Sequence, residues 1–207
     1  MKQIADPNKL LFQLAESQRG LFTASQAHEL GFVPNNHAYH VKQGHWTKVE
    51  RGIYRYNLFP YDPEESLVQH SLWSRNREGK PQGVFSHETA LKYYELSDLD
   101  SKKIHMTVSK DFRRTSKTPK ILTLHFSDLS KDDIKQSRGF SVTTPLKTIR
   151  DIIEIKTISF DFIEQAIRES LTQGLIRKAE LQNLISHLQI DADLKKDLEK
   201  ILKGKNK

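Results

Sequence analysis

The chain has 207 residues, no cysteine, and 33 Lys and Arg residues against 26 Asp and Glu residues, so its net charge is +7 at neutral pH. The lack of cysteine excludes a disulfide-stapled secreted scaffold and a thiolate metal site. No run approaches the ~18 apolar residues of a membrane span, and no signal-peptide-like core lies near the start, so we expect a cytoplasmic protein without membrane association.

The positive charge suggests a polyanionic partner, and its distribution indicates where that partner binds. Residues 1–60 hold seven basic side chains against four acidic ones, whereas the two signs are nearly balanced in the rest of the chain. The N-terminal part is therefore the better candidate for a nucleic-acid surface.

Two short helices are predicted at the N-terminus. Residues 8–17 carry leucines at helical spacing behind Asp6, a residue type that often caps a helix. A second helix begins at Thr23 and Gln26, which have the spacing of a capping box. It ends at Gly31, because glycine tolerates the left-handed exit from a helix.

A third helix is predicted over residues 35–43, between Pro34 in its first turn and Gly44 at its end. On a wheel of ~100° per residue, Ala38 and Val41 face the core. The opposite face and its flanks present side chains that can bond base edges or phosphates: Asn35, Asn36, Tyr39, His40, Lys42 and Gln43. These residues are the candidate base-reading surface.

Residues 46–56 alternate apolar and polar side chains around Glu50, Arg51 and Gly52, which predicts a β-hairpin. Three helices and a hairpin of this length match a winged helix-turn-helix. On the hairpin, Lys48, Arg51 and Arg55 are candidate phosphate contacts, with simple solvation as the alternative for Lys48 and Arg51.

The proline-containing stretch after the hairpin predicts a linker, so we place a DNA-binding domain at residues 1–60 and a second domain at residues 61–207. The second domain mixes strand patterns (KIHMTVS, KILTLHF, GFSVTT) with helices that start at Ser86 and at Pro145. The predicted fold class is therefore α/β (α+β), a winged helix-turn-helix followed by a mixed α/β domain.

Catalytic and metal chemistry is poorly supported by the sequence. His37, His40 and His45 lie close together in the chain, but no cysteine and no carboxylate of the same helix accompanies them, and metal sites usually need three or four convergent ligands. The motif SHET at residues 86–89 sets a serine, a histidine and a glutamate side by side, but catalytic triads converge through folding, and Ser86 is explained as a helix cap. We expect no metal, no cofactor and no enzyme activity.

Two alternatives remain open. The first is a metal-dependent nuclease built from three acids and two lysines around one strand: Asp98, Asp100, Asp111, Lys103 and Lys110. The second is a protein-interaction module without DNA affinity, because a fold does not decide a function.

A concentrated basic stretch lies between two predicted strands of the second domain. It contains Arg113, Arg114 and Lys117 and is a candidate second nucleic-acid contact, with a solvated loop as the alternative.

The order of these pieces resembles the AbiEi family, the antitoxins and transcriptional repressors of type IV abortive-infection toxin-antitoxin systems. Two motifs carry the resemblance best. The first is ERGIY at residues 50–54, and the second is VTTPLKTIRDI at residues 142–152, where a strand leads through Thr144 and Pro145 into a helix. The similarity extends from about residue 8 to about residue 190.

The resemblance implies a repressor that binds inverted repeats in double-stranded promoter DNA and an antitoxin that opposes a nucleotidyltransferase toxin without requiring a stable complex. It places the recognition helix at residues 35–43 and the wing at residues 46–56. This helix is richer in histidine and asparagine, and poorer in arginine, than is common in the family. A stand-alone regulator without a toxin is the alternative.

Overall fold

The computed structural model describes residues 6–204, which form a mixed α/β structure. The helices in this range are α1 (Pro7–Ser17), α2 (Ala24–Glu29), α3 (Pro34–Lys42), α4 (Glu65–Trp73), α5 (His87–Tyr93), α6 (Pro145–Glu154), α7 (Phe160–Thr172), α8 (Lys178–His187) and α9 (Ala192–Lys203). The strands are β1 (Leu21–Thr23), β2 (Trp46–Glu50), β3 (Ile53–Tyr56), β4 (Val84–Phe85), β5 (Ile104–Val108), β6 (Leu122–Phe126), β7 (Ile134–Ser137) and β8 (Phe140–Thr143). The predicted fold class is confirmed.

The chain divides into two compact units. The first comprises the residues up to Gly83 together with Gln136–Ser141, and the second comprises Val84–Lys135 and the residues from Val142 onward. The tip of the β7–β8 hairpin is therefore counted with the first unit.

Local signals start the first helices as predicted. The Asp6 carboxylate accepts a hydrogen bond of 3.0 Å from the Asn8 amide, which caps α1. Thr23 and Gln26 form a reciprocal capping box, because the Gln26 amide donates to the Thr23 hydroxyl and the Thr23 amide donates to the Gln26 side chain. These bonds satisfy amide groups that have no partner inside the helix.

The sheet of the first unit has the strand order β1-β3-β2 and is antiparallel throughout. The hairpin of β2 and β3 is confirmed, and β1 adds a strand that the sequence pattern did not predict. Three residues are too few to show a strand period, and β1 is buried along its whole length. Its residue Phe22 packs against Trp46, with ring centroids 4.9 Å apart.

The first unit extends beyond residue 60, where the sequence predicts a domain boundary. Helix α4 packs on β1 and β3 and buries Val68 and Leu72. The segment before it is held by Arg19, which forms ion pairs with Asp62 and Glu64. Residues 61–83 thus belong to the same compact unit as the winged helix-turn-helix.

The second unit is built on a sheet with the strand order β6-β5-β4-β8-β7. Strand β4 is antiparallel to β5, whereas β5 and β6 are parallel, with Ile104 opposite Leu122. Helix α5 contacts β5 and α6, and the apolar core includes Phe85, Leu91 and Met106.

The start of α5 differs from the prediction in the role of Ser86. Ser86 occupies the N-cap position of α5, but its hydroxyl makes no capping bond. It accepts a 2.8 Å hydrogen bond from Thr107 and lies 2.9 Å from His87 Nδ1. The serine therefore belongs to a buried polar network.

Candidate nucleic-acid interface

Helix α3 is held against the first unit by His37. This side chain is only 5% exposed, and its Nε2 lies 3.3 Å from the Phe32 carbonyl oxygen. Its ring also contacts Trp46. The inner face of α3 is thus formed by His37 with the half-buried Val41, and the prediction that Ala38 faces the core is wrong, because Ala38 is exposed.

The outer face of α3 is polar. Its exposed side chains are Asn35, Asn36, Tyr39, Lys42 and the following Gln43. Tyr39 is 57% exposed. Within the described part of the chain, the side-chain amides of Asn35 and Asn36 have no hydrogen-bond partner, so both are free to bond a ligand.

His40 lies at the edge between the two faces. Its ring stacks on Trp46, with centroids 4.3 Å apart and planes inclined by 17°. The pKa of His40 is lowered, chiefly by burial and to a smaller extent by the nearby rings of His45 and His37. The side chain is therefore an uncharged, half-buried support at neutral pH rather than a cation facing outward.

The hairpin also presents cations to solvent. Lys48 and Arg51 are exposed, and a β-bulge separates Lys48 from Glu50. Bulges re-aim side chains at the ends of strands.

Arg55 differs from the other hairpin cations. Its Nε lies 3.0 Å from a Glu65 carboxylate oxygen and its Nη2 donates to the Phe59 carbonyl at 2.7 Å. With both groups engaged, Arg55 ties the hairpin to the segment that leads into α4. These contacts are internal, and the phosphate contact of Arg55 stays a prediction.

The basic stretch of the second unit lies in the connection between β5 and β6. Arg113 and Lys117 are exposed, and Arg114 is half-buried. The Arg113 guanidinium donates a hydrogen bond of 2.8 Å to the Phe112 carbonyl, and Arg114 Nε donates one of 3.1 Å to the Ser116 hydroxyl. These bonds hold the cations against their own loop.

The nuclease alternative gains no support from the geometry. Asp98 accepts a 2.8 Å hydrogen bond from Gln165, and Asp100 lies 3.9 Å from Lys92. Among residues 6–204, no group of three or more histidine or acidic side chains is arranged to hold a metal ion. In the same range, no helix is long and apolar enough to cross a bilayer.

A histidine cluster in the second unit was not foreseen from the sequence. His105 Nδ1 lies 3.0 Å from His125 Nε2, and the rings of His87 and His125 stack 3.7 Å apart. The other nitrogen of His105 lies 3.4 Å from the Glu88 carboxylate. Only folding joins these residues, because they are far apart in the chain and show no common spacing.

The second conspicuous sequence motif, VTTPLKTIRDI, is also explained by internal contacts. Asp151 is buried and pairs with Lys147 one turn earlier. Arg150 is exposed and pairs with Glu154 one turn later.

Comparison with known proteins bears on both units. A family model described as a transcriptional regulator, AbiEi antitoxin, matches residues 9–57, which run from α1 to the end of the hairpin. No curated protein sequence matches the chain.

A solved structure is similar over most of the chain. It is the RV2827C protein from Mycobacterium tuberculosis, with a TM-score of 0.54, 11% identity, and coverage of 95% of this chain and 75% of that chain. Identity this low shows a shared fold alone. The family match confirms the resemblance that the hairpin motif suggested: residues 9–57 of this chain match the model of the AbiEi antitoxin transcriptional regulators.

Proposed function

We propose that this protein is a DNA-binding transcriptional repressor that binds inverted repeats in its own promoter, and the antitoxin of a type IV abortive-infection system. It acts in the cytoplasm, has no catalytic activity, and opposes a nucleotidyltransferase toxin without a stable complex. The observation that carries the DNA-binding part is the outer face of α3, which presents unpaired amides on a helix anchored from its other side by His37.

Base selection follows from the chemistry of that face. Asparagine and glutamine bond the N6 and N7 atoms of adenine in pairs, so Asn35, Asn36 and Gln43 select bases in a major groove. Tyr39 extends the same surface toward base or backbone. His40 contributes chiefly by holding this face on Trp46.

Affinity and docking register come from the cations around this face. Lys42, Lys48 and Arg51 are exposed and bond phosphates, which gives a sequence-independent, salt-dependent attraction. In the second unit, Arg113, Arg114 and Lys117 supply a second phosphate contact.

The antitoxin part is supported by the family description of residues 9–57. A reading frame for a nucleotidyltransferase immediately downstream of this one would support the toxin partner. Its absence would favour a stand-alone regulator.

The test of DNA binding compares two asparagines. Asn36→Ala removes an exposed side-chain amide from α3, whereas the control Asn183→Ala removes an exposed side-chain amide from α8 in the second unit. In a mobility-shift titration on the upstream DNA, we expect Asn36→Ala to weaken binding by about 10-fold, as for one lost bidentate base contact. Binding to random duplex should change less than about 2-fold, and Asn183→Ala should match the wild type on both DNAs.

Salt dependence separates the two kinds of contact. Lys48→Ala is expected to lower the slope of log K against log salt by about 1, on specific and random DNA alike. Equal and weak binding of the wild type to every duplex contradicts the repressor proposal.

A further inference from the structure

Helix α4 runs alongside the β2–β3 hairpin toward the turn that joins the two strands. Glu65, at the start of the helix, pairs with Arg55 of β3, with 3.0 Å between Nε and a carboxylate oxygen. One turn further along α4, the Gln69 side-chain amide donates a 3.4 Å hydrogen bond to the carboxylate of Glu50, the last residue of β2. The chain therefore leaves α4 at the turn end of the hairpin.

Arg75 lies against that turn. One of its Nη atoms is 3.4 Å from the position that a Cβ on Gly52 would occupy, and the other donates a 2.6 Å hydrogen bond to the Leu72 carbonyl. The amide of Ala24, the first residue of α2, donates to the Gly52 carbonyl at 3.0 Å. The start of the helix-turn-helix, the turn of the wing and the segment after α4 thus meet at one end of the first unit's sheet.

The segment after α4 forms an ordered loop over residues 76–80, called the post-α4 loop below. The Asn76 side-chain oxygen accepts hydrogen bonds from the amides of Glu78, at 3.0 Å, and Lys80, at 2.9 Å. In addition, the Asn76 amide donates to the Lys80 carbonyl at 2.8 Å, and the Gly79 amide donates to the Asn76 carbonyl at 3.1 Å. These four bonds fix the loop backbone in one conformation.

The post-α4 loop presents cations to solvent. Arg77 and Lys80 are exposed, and within the described part of the chain the Arg77 side chain forms no ion pair. Lys80 lies 3.5 Å from Glu78, but the two side chains are 78% and 72% exposed, so this pair contributes little and is easily exchanged. Together with Arg51 of the wing, the loop makes this end of the first unit basic.

We propose that the post-α4 loop is a further contact of the first unit with the DNA backbone, in which Arg77 and Lys80 bond phosphates beyond those that the wing reaches. This inference rests on the proposed DNA binding and extends it to residues outside the winged helix-turn-helix. The loop binds duplex DNA of any sequence, because phosphate contacts set affinity and docking register without reading bases. Its fixed backbone reduces the conformational entropy that is lost when the contact forms.

The first test compares two exposed arginines in the full-length chain. Arg77→Ala removes the proposed contact, whereas the control Arg177→Ala makes the same charge change at the start of α8. Fluorescence anisotropy titrations on the upstream DNA and on random duplex, between about 50 and 200 mM salt, give the slope of log K against log salt. We expect Arg77→Ala to lower this slope by about 1 and to weaken binding to both DNAs by about 5-fold. Arg177→Ala should match the wild type on both.

Two further measurements separate a direct contact from a structural effect. In duplexes that carry one neutral methylphosphonate, neutralising the phosphate bound by Arg77 should weaken the wild type about 5-fold but the Arg77→Ala variant less than about 2-fold, as in a double-mutant cycle. Glu78→Gln removes the one acidic side chain of the post-α4 loop and should tighten binding to both DNAs by about 2-fold. Misfolding of the loop would not produce such a gain.

Each unfavourable result has a defined meaning. Equal effects of Arg77→Ala and Arg177→Ala, or a loss that depends on Arg77 at no methylphosphonate position, would overturn this inference. The proposed base reading by α3 would still stand if Asn36→Ala weakened binding to the upstream DNA alone. A wild type that binds no duplex would overturn both proposals.

Discussion

His37 and His40 lie three residues apart on α3 but have different surroundings. His37 is 5% exposed and bonds the Phe32 carbonyl, whereas His40 is half-buried and stacks on Trp46. The boundary between the inner and outer faces of the helix therefore runs between these two rings. The bulky Trp46 ring decides it, because both histidines contact the indole and Ala38 is too small to fill the same space.

Gly20 is a second position where one residue decides local structure. Its φ is +90°, and a Cβ there would lie 3.0 Å from the Cβ of Phe59. We expect Gly20→Ala to lower the free energy of unfolding in urea by about 1–3 kcal/mol, from backbone strain together with the clash. Gly79→Ala is the control, since its φ of +81° is similar but nothing lies within 4 Å. Equal losses at both positions would show that the contact with Phe59 has no effect.

At the scale of elements, α5, β5 and β6 each contribute a histidine to one cluster. Burial, and then neighbouring histidines, lowers the pKa of His87 to about 3 and that of His125 to about 4. Burial also lowers the pKa of His105, with Glu88 acting in the opposite direction. The packing of these three elements therefore favours uncharged imidazoles.

This arrangement predicts a pH-dependent stability. Between pH 6.5 and about 4, the unfolded chain binds protons at His87 and His125 that the folded chain does not, so stability is complete above pH 6.5 and falls as the pH decreases. Each histidine contributes a slope of up to about 1.4 kcal/mol per pH unit. Urea titrations across this range should show a smaller slope for His125→Gln than for the wild type. An unchanged slope in that variant would contradict the assignment.

At the scale of the whole molecule, the first unit is larger than a winged helix-turn-helix alone. Helix α4 buries Val68 and Leu72, and Arg55 reaches Glu65 at its first turn. Removing residues 61–83 would expose this apolar surface to water and leave the Arg19 and Arg55 guanidiniums without their carboxylate partners.

Fragments test where the DNA-binding part ends. We expect a fragment of residues 1–83 to melt at least about 5 °C above a fragment of residues 1–60, because about 1 kcal/mol shifts the melting temperature of a domain this small by that much. Circular dichroism measures both transitions. Equal melting temperatures would favour the boundary near residue 60 and assign α4 a role outside the folding of the first unit.

The sequence alone determined the features that depend on neighbouring residues. The cap at Asp6 and the capping box of Thr23 and Gln26 follow from hydrogen bonds within a single turn. The start of α3 at Pro34 follows from the fixed φ of proline and its missing N–H group. The hairpin of β2 and β3 follows from its alternating pattern around a glycine turn. Together these features were enough for the winged helix-turn-helix and for most of the exposed face of α3.

Tertiary structure decided what depends on residues far apart in the chain. Four features required the fold. Two lie in the first unit: the rotation of α3 that places His37 inside and the pairing of Arg55 with Glu65. The other two are the cluster of His87, His105 and His125 and the position of β6 at a sheet edge. A helix wheel shows which residues share a face, but the shape of the opposing surface determines which face is buried. Contacts of this kind have no local signal, because their free energy comes from packing and desolvation that exist only once the elements have met.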